Sequence, residues 1–268
     1  MLPRNLKMKI SRIYAMVLRF FYLFRHSYDR IGDAFYWPTI DLMIWGLTST
    51  FFKTFAPNAP QIILIVLSGH MFWLIVWRAQ YEITVNLLEE LWNRNMINIF
   101  VSPIKFSEWI ISFIIVGFTK AAMSFPFAMM VVYLAYKINI IFFSWYFIPI
   151  ILLMFMTGWW VGFFVSGLIL RFGTKVQTLA WTFAWLIGPF AAIYYPVSTL
   201  PVWAQKIALF IPASYVFEGA REIIYKGYTD PTKFYLSFII NLVYLILSIA
   251  FLHLSFKKVL EKGLVKVY

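Results

Sequence analysis

The chain has no cysteine, so disulfides and thiolate metal sites are excluded. Its three histidines, His26, His70 and His253, are scattered. Neither an H-E-x-x-H pattern nor a run of clustered carboxylates accompanies them, so no metal site is expected. No G-x-x-x-x-G-K-[ST] loop occurs, and without that phosphate cradle the chain cannot itself be an ATPase. Charge is scarce: 13% of residues are Asp, Glu, Lys or Arg, against about a quarter in soluble domains. Residues 1–30 carry basic side chains but no continuous apolar core before a small-residue cleavage site, so no cleavable signal is expected. These absences make an enzyme the weaker class.

What the chain has instead is apolar length: 62% of its residues are hydrophobic and 21% aromatic. A bilayer core about 30 Å thick needs roughly 20 apolar residues per helix at about 1.5 Å rise each. Six stretches meet that length: 34–52, 61–81, 109–136, 140–170, 176–195 and 234–256. The expected fold is all-α and polytopic, a single transmembrane domain over 1–268 with six spans and short loops.

The net charge of +12 is distributed unevenly. Seven Lys/Arg precede the first span and four follow the last, and five more lie on the second and fourth loops; the opposite side has six. By the positive-inside rule both termini are cytoplasmic, in a cell (inner or cytoplasmic) membrane. The basic excess then reads as an orientation signal and a contact for anionic lipid, with no nucleic-acid partner expected.

Residues 5–29 place apolar side chains at 10, 13, 14, 17, 18 and 21 among arginines, which predicts an amphipathic helix lying on the cytoplasmic face. Between spans 2 and 3, residues 82–103 mix Glu82, Leu88, Glu89, Glu90, Trp92, Arg94 and Asn95 and end at Ser102-Pro103. The pattern predicts a short amphipathic cytoplasmic helix. Tethered to two spans, it could act as a lever for a soluble partner, or be a solvated loop helix without one.

The stretch 196–228 holds two helical runs, about 201–211 and 213–226, separated by Pro212. Each is too short to span and too apolar for water alone, so a re-entrant pair is expected, an interfacial hairpin being the alternative. Glu218, Arg221 and Glu222 stand at i, i+3 and i+4, spacing at which the arginine can pair with a glutamate. Two ionisable residues fall inside spans, Asp41 and Lys120, and a charge at that depth normally faces protein or water. They can pair with each other, as a helix lock or as part of a pathway. Gly158, Gly162 and Ser166 recur every four residues in span 4, spacing that lets two helices approach closely.

Taken in order, Leu88-Glu-Glu-Leu-Trp-Asn-Arg-Asn95, Phe100-Val-Ser-Pro103, Leu170-Arg-Phe-Gly173, Tyr194-Tyr-Pro-Val-Ser-Thr-Leu-Pro201 and Pro212-Ala-Ser-Tyr-Val-Phe-Glu-Gly219 resemble ABC transporter permeases of the type 2 export class. The likeness covers nearly the whole chain. It implies an export subunit made of two six-span halves, the second half read as another copy of this chain, with two separate ATPase subunits holding ATP and Mg. It also implies that 82–103 is the coupling helix, that 5–29 is an interface helix touching the ATPase, and that 196–228 closes the outer mouth. Tyr194, Tyr195, Pro196, Pro212, Glu218 and Arg221 would then belong to the pathway or its gate. Cargo in such a class includes drugs, lipids and lipid-linked polysaccharides. A gradient-driven secondary transporter would need inverted repeats, which the two halves do not display. A membrane scaffold would explain the spans but not Asp41, Lys120 or the apolar hairpin.

Overall fold

A computed structural model describes residues 4–55 and 61–262. Among these residues the chain is helical without strands: α1 (Arg4–Arg25), α2 (Tyr28–Phe55), α3 (Ile62–Trp92), α4 (Met96–Val101), α5 (Phe106–Tyr136), α6 (Phe147–Phe172), α7 (Leu179–Ile187), α8 (Val202–Ala208), α9 (Pro212–Lys226) and α10 (Pro231–Lys262). Four helical stretches are long and apolar enough to cross a membrane: Ile62–Trp92, Phe106–Tyr136, Ile140–Val176 and Pro231–Glu261. The chain is therefore an all-α protein with the helices of a membrane protein. Leu242, Ile246, Leu247 and Leu254 of α10 lie exposed, an apolar face that suits lipid and not water.

The other two expected spans take different forms. α2 is 28 residues long but carries Asp29, Arg30, Asp33, Asp41 and Lys53, so its length suffices while its apolarity is diluted. The stretch 176–195 is not one helix. α7 stops at Ile187, a 3-10 turn follows over Gly188–Ala191, and Ala192 adopts a left-handed backbone (φ 58°). Pro189 explains the break, because it lacks the N–H that a continuing helix would need.

α3 and α6 form the centre of the bundle, flanked by α5 on one side and α10 on the other. Small residues set the α3–α6 approach: a Cβ added at Gly158 would sit 2.5 Å from the Val76 carbonyl oxygen and 2.6 Å from Ala79 Cβ. α6 and α10 are joined through Asn241, fully buried, which accepts from Thr157 Oγ1 at 3.0 Å and donates to the Leu153 carbonyl. Gln80 Nε2 of α3 donates to the Ala180 carbonyl at 2.7 Å and ties α7 to the centre.

α1, the α3–α5 connection, the α6–α7 connection and the end of α10 gather at one end of the bundle. Phe106 packs edge-on to His253 and against Phe256, Trp92 Nε1 donates to Gln177 Oε1, and Arg171 Nε donates to Ser255 Oγ. The basic-rich segments of the sequence thus assemble together, and α8 and α9 lie toward the other end.

Candidate functional site

The residues expected to form a lever between spans 2 and 3 divide into two groups. α3 does not end near Tyr81; it runs on to Trp92, so 82–92 is the last part of a long helix and the separate helix is only α4. Glu82, Leu88 and Glu90 are buried, each below 4% exposed. Trp92, Arg94 and, in part, Glu89 and Asn95 reach the surface. The turn between α3 and α4 is a Schellman motif: Asn95 N–H donates to the Glu90 carbonyl and Arg94 N–H to the Leu91 carbonyl, with Arg94 left-handed at φ 53°.

The buried acids find their partners on α1, α2 and α5. Glu90 accepts from Arg19 of α1 at 2.8 Å and from Asn95 Nδ2 at 2.6 Å. Glu89 pairs with Arg30 of α2. Glu108 caps the first turn of α5 by accepting from Lys105 N–H, and its other oxygen pairs with Arg12 of α1 at 2.9 Å. Arg12 also donates to the Pro103 carbonyl at 2.8 Å. The amphipathic helix is therefore bolted to the α3–α5 corner, with Met16, Phe20 and Phe24 buried beneath it. Its opposite side exposes Ile10, Tyr14 and Tyr22.

Asp41 and Lys120 do not pair. Lys120 Nζ donates to Glu82 at 2.5 Å and lies over the Phe24 ring at 4.9 Å, while Arg78 completes a buried triad from the other side of Glu82. Arg78 donates further to the Asp33 carbonyl and sits over the rings of Trp77 and Tyr81. The structure thus places Lys120 at the level of the α1–α2 corner. Asp41 instead lines a cavity between α2, α3 and α7. Arg78, Arg12, Arg19 and Arg30 enter the site only through the fold. The available signal was spacing: Arg12 and Arg19 stand seven residues apart on one helical face, as do Glu82 and Glu89.

At the other end, Arg221 is 6% exposed and holds the broken end of α7. Its guanidinium donates to the Ala192 carbonyl at 2.7 Å and to Glu218 at 2.8 Å, and Glu218 accepts from Val197 N–H at 2.7 Å, so this one pair fixes the strained turn through Pro196. Tyr194 stacks on Trp45 at 4.2 Å and shares a hydrogen bond with His70 Nδ1 at 2.9 Å, and Tyr195 donates to the Pro189 carbonyl. Pro212 occupies the first turn of α9, where its missing N–H costs nothing. Gly158, Gly162 and Ser166 are buried, and the two glycines lie on the α6 side that meets α3.

Glu222 faces the α9–α10 connection. Lys233 Nζ at 2.8 Å holds its carboxyl well below the usual range, at about 2, aided by Thr229 and Lys226. Unfolded, the group would titrate near 4.5. The folded state binds the proton less readily, so the stabilisation is whole above pH 4.5 and is lost as pH falls toward 2. Glu222→Gln is expected to flatten the pH dependence of the thermal midpoint across that window; a slope equal to that of the parent chain would remove this assignment.

No cluster of His, Cys, Asp and Glu able to hold a metal is found among the described residues. Compared with known proteins, the sequence matches no protein-family model and no curated protein.

Proposed function

We propose that the chain is the membrane subunit of an ATP-driven exporter, working as a pair of copies with two separate ATPase subunits that carry ATP and Mg. In this reading α2 and the α7 segment join the four long apolar helices to give six spans. Both termini and α4 lie in the cytoplasm, as the positive-inside rule requires. Cargo moves outward past the Tyr194–Pro196 turn, which α8 and α9 cover as a re-entrant pair.

The observation that carries the proposal is the build of the α3–α5 corner. α4 is a six-residue helix joining two 31-residue helices, and it exposes Ile97 and Val101, with Trp92 exposed at the end of α3. Exposed apolar side chains at the tip of a rigid, ion-paired corner suit a protein partner better than water. A push on α4 is delivered to α3 and α5 directly, and through Arg19, Arg12 and Arg30 to α1 and α2. Glu89 and Glu90 transmit such a push from inside the chain, while Trp92, Ile97 and Val101 would receive it.

The test is Mg-ATP hydrolysis by the tagged full chain after mild extraction from its native membrane and return to lipid vesicles. An ATPase subunit is expected to co-purify. The pair Ile97→Asp/Val101→Asp should cut the co-purified hydrolysis about tenfold or more, as loss of a buried apolar anchor does at an interface. If no ATPase accompanies the folded chain, a gradient-driven transporter or a scaffold is the better account.

A further inference from the structure

The cavity between α2, α3 and α7 encloses about 350 Å³, within the usual size of a small-molecule site. We propose that it binds a bulky organic cation, with the Asp41 carboxylate as counter-ion inside a cage of tryptophans. The proposal deepens the transport reading and rests on it only for calling the ligand a cargo.

Charge makes the first argument. Asp33 and Asp41 line the cavity and no Lys or Arg does. Asp33 is provided for: it accepts from the Tyr81 hydroxyl at 2.6 Å, and Arg78 is bound to its carbonyl. Asp41 forms neither an ion pair nor a side-chain hydrogen bond among the described residues. A carboxylate at membrane depth costs free energy until a positive charge compensates it, and the protein supplies none here. The missing charge is the ligand's.

The walls make the second. Trp73 and Trp77 of α3 and Trp181 and Trp185 of α7 line the space, with Trp37 of α2 half-exposed at its edge. Indole faces are the best aromatic partners for a cation, through their quadrupole, and they also pack the apolar groups around an ammonium or phosphonium centre. An anion would meet two carboxylates and the negative ring faces together.

Unmet hydrogen bonds make the third. His70 Nε2, Trp73 Nε1 and Trp77 Nε1 are buried without a partner, and His70 and Trp73 are each 1% exposed. Polar groups in that state mark strain or a functional site. All three residues line this same cavity. A neutral polyol would leave Asp41 without a counter-charge.

Tetraphenylphosphonium and tetraphenylborate share shape and size and differ in the sign of charge. Binding of each is measured by equilibrium dialysis on the full chain in lipid nanodiscs, with empty nanodiscs as background and no ATPase or ATP present. Saturable binding of the cation and none of the borate is expected. Asp41→Asn should weaken the cation about tenfold or more, with a thermal midpoint no lower than the parent's, and Asp41→Glu should retain binding.

Saturable binding of the borate as strong as that of the cation, or uptake of the cation no greater than by empty nanodiscs, would overturn the proposal. So would a folded Asp41→Asn chain that binds as the parent does, or saturable binding of maltotriose with no binding of the cation. Because this assay needs no partner, cation binding with no co-purified ATPase would sink the exporter reading alone. ATPase coupling without cation binding would sink this one alone.

Discussion

Replacing Glu82 with alanine is expected to destabilise the fold by about 3–5 kcal/mol, the cost of breaking a buried ion pair from one side. The carboxylate lies between Lys120 and Arg78, and all three residues are below 5% exposed. Without it, two cations remain buried with no anion between them. The position also couples elements far apart in sequence, since Lys120 belongs to α5, Arg78 and Glu82 to α3, and Phe24 beneath Lys120 to α1.

A second variant separates charge from packing. Glu82→Leu combined with Lys120→Met removes anion and cation together and keeps apolar volume in place. Arg78 retains the Asp33 carbonyl and the faces of Trp77 and Tyr81. The double variant should recover more than half of the loss, as apolar replacement of buried ion pairs often does. The midpoint of unfolding in a mild detergent, followed by tryptophan fluorescence, measures both. A Glu82→Ala chain as stable as the parent would mean that water reaches this site and that the triad is not a lock.

The same triad marks the boundary of what the sequence makes legible. Periodicity over 10–21 lands on α1, and the two short runs around Pro212 land on α8 and α9 because proline punctuates the chain locally. Local signals cannot identify partners. The charged run after Tyr81 reads as a separate short cytoplasmic helix because Lys120, 38 residues on, and Arg19, 71 residues before Glu90, are invisible in it. With those partners Glu82 and Glu90 can be buried, and α3 continues where a separate helix is expected. Asp41 and Lys120 are each conspicuous as charges in apolar stretches, but only the fold shows that one has its counter-ion and the other opens on a cavity. The break in α7 is written in Pro189, and it is masked by the apolar composition on both sides.

Gly158→Val is expected to be the most damaging single change in the apolar interior, and to act through backbone alone. Already at alanine, the Cβ would stand 2.5 Å from the Val76 oxygen, 2.6 Å from Ala79 Cβ and 3.2 Å from Val76 Cα. Two of those atoms are main chain and the third is fixed to it, so no rotamer change makes room and α3 must move away from α6. Gly162 is more forgiving. Its Cβ would meet Ile83 Cβ and Cδ1 at 3.0 Å and the Gln80 oxygen at 3.2 Å, contacts that a shift of a few tenths of an ångström relieves.

Overpacking of this kind costs about 1–3 kcal/mol, with Gly158→Ala above Gly162→Ala and Gly158→Val above both. Thermal midpoints of the three variants test that order. Because α6 meets α3 of the same chain at these glycines, the oligomeric state should not change. Equal losses at 158 and 162, or dissociation of a dimer, would assign the small-residue ridge to an interface between copies instead. The displaced turn of α3 lies between Trp73 and Trp77, two walls of the Asp41 cavity. A folded Gly158→Ala chain should therefore also bind tetraphenylphosphonium more weakly than Gly162→Ala does, which links the helix spacing set by one hydrogen atom to the shape of the site.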